Sequence, residues 1–430
     1  MKILISNGRL IDPANQRDEI SDILIDKGKI AAIAKPGRIP KQDTDGAKVI
    51  DATDQIVAPG FIDMHVHFRE PGFEYKETIE TGCQSAAAGG FTTVAMMPNT
   101  HPVNDNRSVT EFMLSQAKAH GVVNVLSIGA VSVGLQGEKL ADMGDLKTAG
   151  VVAYSDDGHP VMNNELMRRA LEYSKMFDLP IIQHCEVLDL TAGGCMNESR
   201  VSTELGLKGM PTEGEDIMVY RDIALLEKTG GRVHVAHISS AQSVDLVRQA
   251  KAKGLAVTCE VAPHHFSLTD EAVRGYDTNS KMSPPLREQK DVAAIKQGLQ
   301  DGTIDMIATD HAPHDLADKQ MDYQSACFGI VGLETALPLT LKLIDEKVIT
   351  LPQMVALFTA QPAEIFKLDK GNLAVGKDAD VVVFDPQVEY NIDVQKFKSK
   401  SKNSPFHGWP VKGRVTHTLV MGKIVHAFNS

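Results

Sequence analysis

Cysteine is scarce and unpatterned. The five residues, Cys83, Cys185, Cys195, Cys259 and Cys327, are odd in number and contain no C-x-x-C pair. That argues against a disulfide framework and a structural zinc knuckle, and it fits a reducing cytoplasm. Basic charge is in deficit as well: 44 Lys and Arg against 56 Asp and Glu leave a formal charge of −12. Such a surface repels a phosphate backbone, so nucleic acid is not an expected ligand. No apolar run approaches the ~20 residues of a membrane span. Met1 to Gly8 reads as a strand entering a turn, without the longer apolar region or small-residue cleavage site of a signal peptide. No G-x-G-x-x-G follows the first buried run of the central region, so nothing supports a dinucleotide site.

What is present is the material of an ordinary globular chain. Its 430 residues, 43% hydrophobic and 23% charged, suffice for two or three domains at roughly 150 residues each. Between Gly60 and His311, eight short apolar or β-branched runs read as strands buried on both faces. They are Phe61 to His67, Thr92 to Met97, Val123 to Val131, Val151 to Ser155, Pro180 to Cys185, Val233 to Ser239, Ala256 to Ala262 and Asp305 to His311. The segments between them carry helical patterns, as in Asn164 to Tyr173, and Gly89-Gly90, Gly230-Gly231 and Lys253-Gly254 close several of them. This alternation predicts an α/β fold, a (β/α)8 TIM-type barrel over residues 59–371, with a doubly wound open sheet as the structural alternative.

The ends have a different texture. Ile3-Leu4-Ile5, Ile23-Leu24-Ile25 and Ile30-Ala31-Ala32-Ile33 are divided by Gly and Asp turns, and Val381 to Phe384 and Thr418 to Val425 repeat the pattern. Residues 1–58 and 372–430 are therefore expected to build one small β-sandwich domain between them. Lys396 to Ser404, with four Lys and three Ser, reads as a solvated loop, with a phosphate or anion patch as the alternative.

Chemistry concentrates at the ends of the central runs. Asp63-Met64-His65-Val66-His67-Phe68-Arg69 closes the first, and strand alternation puts His65, His67 and Arg69 on one face at about 7 Å spacing. Asp156 and Asp157 follow the fourth run, His184 the fifth and His237 the sixth, while Asp310 lies on the eighth. The C-terminal strand ends of such a barrel converge on one mouth. Four imidazoles and two carboxylates meeting there suit zinc or a similar borderline ion, and they are enough for two ions. As isolated core polar groups, each would need its own hydrogen-bond partner. Alternation places Asp156 and Asp157 on opposite faces, and spacing alone does not choose between them. Two close metals would lower the pKa of a bridging water and polarise a carbonyl, which is what hydrolysis of an amide-like bond requires. Asp310 is the carboxylate expected to take the water's proton and pass it to the leaving nitrogen. Arg69, Asn99 and His314 belong near the same mouth, and a guanidinium fork suited to a planar carboxylate points to a small anionic substrate.

Several longer motifs surround these residues: Gly60 to Gly72, Met97-Pro98-Asn99-Thr100, Asp156-Asp157-Gly158, His184-Cys185-Glu186, Ala236-His237-Ile238-Ser239, Pro263-His264-His265, Ala308 to His314, Phe328 to Thr335 and Gly371 to Asp380. Through them the chain resembles the type I dihydroorotases of the amidohydrolase superfamily over nearly its whole length. The resemblance implies two zinc ions, one held by His65, His67 and Asp310, the other by His184 and His237, with Asp157 bridging. It implies reversible cyclisation of N-carbamoyl-L-aspartate to L-dihydroorotate in pyrimidine synthesis. A substrate carboxylate would lie on Arg69, Asn99 and His314, with His67 also touching the substrate and the ring against the backbone of Phe328 and Gly329. Ser283, within Lys281 to Arg287, stands where the family usually has Asn, so the substrate contact expected from it is shorter. Many superfamily members bridge their metals with a carboxylated lysine on the fourth strand. This chain has no Lys between Lys147 and Lys175, so if anything on this segment bridges it is an Asp.

The rival activities are those of hydantoinases or dihydropyrimidinases and of allantoinases, whose substrates are mostly uncharged rings and whose sequences lack an Arg matching Arg69. A non-catalytic paralogue serving as a structural partner of aspartate carbamoyltransferase would be marked by lost metal ligands, and none of the six is missing. Further expectations are a cytoplasmic homodimer, association with aspartate carbamoyltransferase and no membrane partner. The polar segment from Leu316 to Ala326 suits a lid over the mouth or an ordinary exposed loop.

Overall fold

Alternating apolar residues at the N-terminus pair as antiparallel strands. In the computed structural model, which describes residues 2–428, they form β1 (Ile3–Asp12), β2 (Arg17–Asp26) and β3 (Lys29–Ala34), followed by β4 (Lys48–Asp51) and β5 (Ile56–Pro59). Ile3 faces Ile25 and Ile5 faces Ile23 across the first pair, and all four are fully buried. A one-residue slip would turn that whole set to solvent.

The chain then runs through parallel strands: β6 (Phe61–Val66), β7 (Phe91–Met96), β8 (Asn124–Ser127), β9 (Tyr154–Ser155), β10 (Ile181–Gln183), the small pair β11 (Met196–Asn197) and β12 (Gly209–Met210), β13 (Val233–Val235), β14 (Val257–Val261) and β15 (Met306–Ile307). It closes with β16 (Val381–Asn391), β17 (Pro410–Val420) and β18 (Lys423–Ala427). The terminal strands share one sheet in the order β18-β17-β16-β5-β1-β2-β3, with β4 beside β1. The two ends of the chain meet where β16 lies antiparallel to β5, Val381 opposite Pro59.

Each of the eight central runs expected from sequence overlaps one parallel strand. They form two sheets, β6-β7-β8 and β9-β10-β13-β14-β15, joined by parallel bridges at both edges, Gly129 to Tyr154 and Val66 to His311. Helices such as Ile79–Ala88, Arg107–His120, Asn164–Ser174, Glu213–Thr229 and Ala241–Ala252 lie between successive strands. Gly230, at φ +65°, takes the left-handed turn that ends the helix over Glu213–Thr229 and sends its N–H to Leu226 O. Strand side chains are buried on both faces: Ile62, Met64, Ala95, Ile182 and Met306 on one, and Phe61, Val94, Ile181 and Ile307 on the other, among the apolar residues of the helices. Burial on both faces explains why these segments read as continuous apolar runs.

Most of the strands are shorter than the runs, whose last residues leave the sheet and form the mouth. The β11–β12 pair, inserted after β10, carries too few residues to show a period. Lys396 to Ser404 is not a wholly solvated loop. Lys396, Lys398 and Lys400 are exposed, but Ser399, Ser401, Asn403 and Ser404 are buried, so the segment packs as an edge with one face inward. Among the described residues no helix is long and apolar enough to cross a membrane.

Candidate metal centre and anion pocket

The side chains at the C-terminal ends of the parallel strands converge. His65 lies on β6 and His67 just beyond it, while Asp157, His184, His237 and Asp310 follow β9, β10, β13 and β15. All six are buried. The backbone bends sharply to aim them: Arg69, His237 and Asp310 have φ of +62°, +31° and +47°. Left-handed backbone at non-glycine residues costs of order 1–3 kcal/mol each and is held only where the surroundings enforce it.

Asp157 is at the centre of the cluster. His65 Nε2 lies 3.4 Å from its Oδ1 and 3.5 Å from Asp310 Oδ1; His67 Nε2 lies 3.4 Å from Asp157 Oδ2 and 3.2 Å from Asp310 Oδ1. On the other side, His237 Nε2 and His184 Nδ1 are 3.5 and 3.8 Å from Asp157 Oδ1 and 2.9 Å from each other. Asp157 thus belongs to two trios, one with His65 and His67 and one with His184 and His237, while Asp310 joins His65 and His237. Ligand atoms on one tetrahedral ion with bonds of ~2.0–2.1 Å stand about 3.3 Å apart, close to most of these spacings. His65 Nε2 and Asp157 Oδ1 are buried without a hydrogen-bond partner, a cost of about 1–3 kcal/mol per group that a cation between them would remove. The donor set fits a divalent metal. Burial alone would raise the Asp157 carboxyl, yet the imidazoles of His65, His237 and His67 hold it well below the usual carboxylate range.

Three of the four imidazoles have an outer partner that fixes which nitrogen faces inward. Glu260 Oε1 lies 2.6 Å from His65 Nδ1, and its Oε2 is 3.2 Å from His234 Nε2. With the Nδ1 proton given to Glu260, the Nε2 lone pair of His65 points at Asp157 and Asp310. Asn99 Oδ1 lies 2.9 Å from His67 Nδ1, and Asn99 Nδ2 donates to Asp157 O at 3.2 Å. Glu186 Oε2 is 2.9 Å from His184 Nε2. Asp156 turns the other way, accepting the backbone N–H groups of Val131 and Ser132 at 2.8 and 3.0 Å and the Ser132 hydroxyl. The choice between the two aspartates that spacing left open falls on Asp157.

Beside the cluster is a cavity of about 400 Å³ lined by Arg69, Asn99, Asp157, Glu186, Ser283, Asp310, His314, Phe328 and Gly329 among others. Arg69 Nε donates to Pro313 O at 3.2 Å, and its Nη2 lies 3.4 Å from His314 Nε2. Burial and the neighbouring Arg69 push the His314 imidazole down to about 3, so it is neutral near pH 7. Its Nδ1 is 3.0 Å from Asp318 Oδ2, which also pairs with Lys76 Nζ at 2.7 Å. Gly329, at φ +150°, leaves no room for a side chain: a Cβ would meet Ala312 O at 2.6 Å and His314 Cδ2 at 2.7 Å.

The amidohydrolase family pattern covers residues 56–425. The chain belongs to the amidohydrolase family. Among relatives, it is 53% identical to a dihydroorotase of Geobacter metallireducens over 426 residues, 99% of this chain and 100% of that one. It is 54% identical to a dihydroorotase of Geotalea daltonii over 426 residues, 99% of each chain. Among solved structures it is similar to the L-hydantoinase (dihydropyrimidinase) from Arthrobacter aurescens, with TM-score 0.89 and 26% identity over 100% of this chain and 96% of that one. The dihydropyrimidinase from Brevibacillus agri follows at TM-score 0.87 and 25% identity, over 99% and 95%.

In this amidohydrolase the structure brings together every site residue expected from sequence: His65, His67, Asp157, His184, His237 and Asp310 in the cluster, and Arg69, Asn99, Ser283, His314, Phe328 and Gly329 around the cavity. Sequence reasoning missed Glu260 and Glu186. A lone Glu inside the apolar run Ala256 to Ala262 was the available signal for the first, since a buried carboxylate needs a partner. The segment Leu316 to Ala326 is tied down beside the cavity. Lys319 Nζ donates to Thr278 O and Cys327 O at 3.0 and 2.7 Å, and Lys281 Nζ donates to Gln324 O and Ala326 O at 2.9 and 2.6 Å.

Proposed function

We propose that this amidohydrolase is a zinc-dependent dihydroorotase that interconverts N-carbamoyl-L-aspartate and L-dihydroorotate in pyrimidine synthesis. The observation that carries the reading is the Arg69–His314 pair, 3.4 Å apart, in a cavity bordered by Asp157 and Asp310. Dihydroorotase relatives at about 50% identity across the whole chain support it. His65, His67 and Asp310 would hold one ion, His184 and His237 the other, and Asp157 both. Bound there, zinc would lower the pKa of a water and polarise the reacting carbonyl.

The chain's own residues do the rest. Arg69 takes the substrate carboxylate in its fork, with Asn99 and His314 beside it. Asn99 also fixes His67, so carboxylate recognition and the cluster share one side chain. In the hydrolytic direction Asp310 accepts a proton from the attacking water and delivers it to the departing ring nitrogen; cyclisation runs the same transfer backwards. Ser283 and the backbone of Phe328 and Gly329 line the ring.

We further propose that the two central sheets, bridged at both edges, are one (β/α)8 barrel over residues 59–371. Residues 1–58 and 372–430 supply the β-sandwich, in a cytoplasmic homodimer able to associate with aspartate carbamoyltransferase. Cysteines 83, 185, 195, 259 and 327 are all free, in keeping with a reducing compartment. The structural neighbours named above are a hydantoinase and a dihydropyrimidinase, but an uncharged ring leaves Arg69 without its counter-ion. Turnover of dihydroorotate, hydantoin, dihydrouracil and allantoin separates these activities from the proposed one. We expect turnover of dihydroorotate alone; hydantoin turnover without dihydroorotate turnover overturns the reading.

A further inference from the structure

Asn403 lies 89 residues beyond His314 in the chain, outside every motif that marks the cluster, yet its amide is wholly committed to the walls of the anion pocket. Its Oδ1 accepts the backbone N–H of His314 at 3.0 Å, and its Nδ2 donates to the carbonyls of Ala312 and Gly329, both at 3.0 Å. Val331 N–H donates to Asn403's own carbonyl at 2.9 Å. The residue is 3% exposed. One side chain therefore ties together two adjoining segments of the pocket wall, the one carrying His314 beside Arg69 and the one carrying Gly329. The same edge also grips the loop after β6: Ser401 Oγ donates to Lys76 O at 2.7 Å and Lys400 N–H to Glu77 Oε1 at 3.0 Å.

We propose that Asn403 is a positioning residue for the substrate carboxylate, setting the spacing of the His314 and Gly329 loops. The proposal rests on the reading that Arg69 and His314 hold that carboxylate. The chemistry needs a neutral group that accepts through one atom and donates twice through another, which a primary amide supplies. Asp at this position offers no donor and sets a negative charge against two carbonyls. Ala leaves three buried backbone groups unpaired. Asn403 hydrogen-bonds none of the six cluster residues, so its loss should act on binding and not on metal content.

The test uses the full-length, zinc-loaded protein with N403A, N403D and N403S. KM and kcat are measured in both directions, with zinc content and Tm. A control, T418A, removes a buried hydroxyl that donates to Ala87 O at 2.7 Å away from the pocket. We expect KM for both substrates to rise about tenfold in N403A and N403D, the scale of one lost buried hydrogen bond. N403S, which keeps an acceptor, should rise less. kcat should change by less than about threefold, and zinc should stay at the wild-type level. T418A should lose Tm and keep KM. Unchanged KM in the Asn403 variants that fold, or an equal rise in T418A, overturns the proposal. If none of the three folds, a failure of T418A alone to disturb KM cannot rescue it, and the residue is structural. R69K separates the two readings: if it leaves KM unchanged, the carboxylate assignment falls and this one with it. If R69K raises KM and N403A does not, Asn403 alone is excluded.

Discussion

At the scale of single residues, the cluster assigns different tasks to chemically similar groups, and substitutions should separate them. Asp310 lies within 3.2–3.5 Å of His67 and His65 and borders the cavity. D310N should still fold and, at full metal content, lose at least about 10²-fold in kcat, because an amide cannot carry the proton. Near-normal turnover would remove the shuttle role. Arg69 uses two of its nitrogens on Pro313 O and His314, a placement that a single ammonium cannot reproduce. R69K should therefore raise KM severely for both carbamoyl aspartate and dihydroorotate. If the kinetics with both substrates stay as they were, the anionic-substrate argument fails and hydantoinase leads. Ser283 lines the same cavity with a short side chain, and S283N should lower KM by a few-fold. No change would mean that a water or another group already makes that contact.

At the scale of elements, the inward face of residues 398–403 depends on two carboxylates, the buried Glu77 and the half-buried Glu334. Glu334 Oε1 accepts from Ser85 Oγ at 2.9 Å and from the backbone N–H groups of Lys398 and Ser399 at 2.7 and 3.1 Å, and burial pushes its carboxyl up to about 7 from 4.5. Between those values the folded state binds more protons at this group than the unfolded state does. Its contribution is fully present below about pH 4.5 and is lost as pH rises through about 7, with a slope of at most about 1.4 kcal/mol per pH unit. E334Q keeps an acceptor and cannot ionise, so its Tm measured from pH 5 to 8 should fall less than that of wild type. Parallel profiles would show that Glu334 ionises normally. This edge also marks the limit of what was legible. The eight strands were readable because burial on both faces writes β-branched runs, and His65, His184 and His237 were readable because they end those runs. Asn403 was hidden because its hydrogen bonds all run to distant backbone, and the surrounding Lys and Ser pattern reads as solvated. Strand alternation alone does not separate Asp156 from Asp157, whereas the resemblance selects Asp157 and the backbone of Val131 and Ser132 claims Asp156.

At the scale of the whole molecule, both ends of the chain build one sheet, and the segment entering that sheet's last strands braces the mouth of the parallel strands. The candidate metal cluster gathers residues at or just after β6, β9, β10, β13 and β15 in the same way, so an ion there would tie five segments together. A ligand that binds only the folded state adds RT ln(1 + [L]/Kd) to its stability, and the donors it leaves behind on removal are buried and face one another. Chelation should therefore lower Tm and abolish turnover together, and zinc alone should restore both. With no Lys between Lys147 and Lys175, nothing in this segment can be carboxylated by CO₂, so recovery in bicarbonate-free buffer should equal recovery in its presence. D157N, which weakens the residue shared by both trios, should lose one or both zincs. D156N should keep them and lose only stability, since its carboxylate accepts from Val131 and Ser132. Metal analysis decides the matter: recovery that requires bicarbonate, or a D157N protein with its full zinc complement, would show that something other than Asp157 bridges the site.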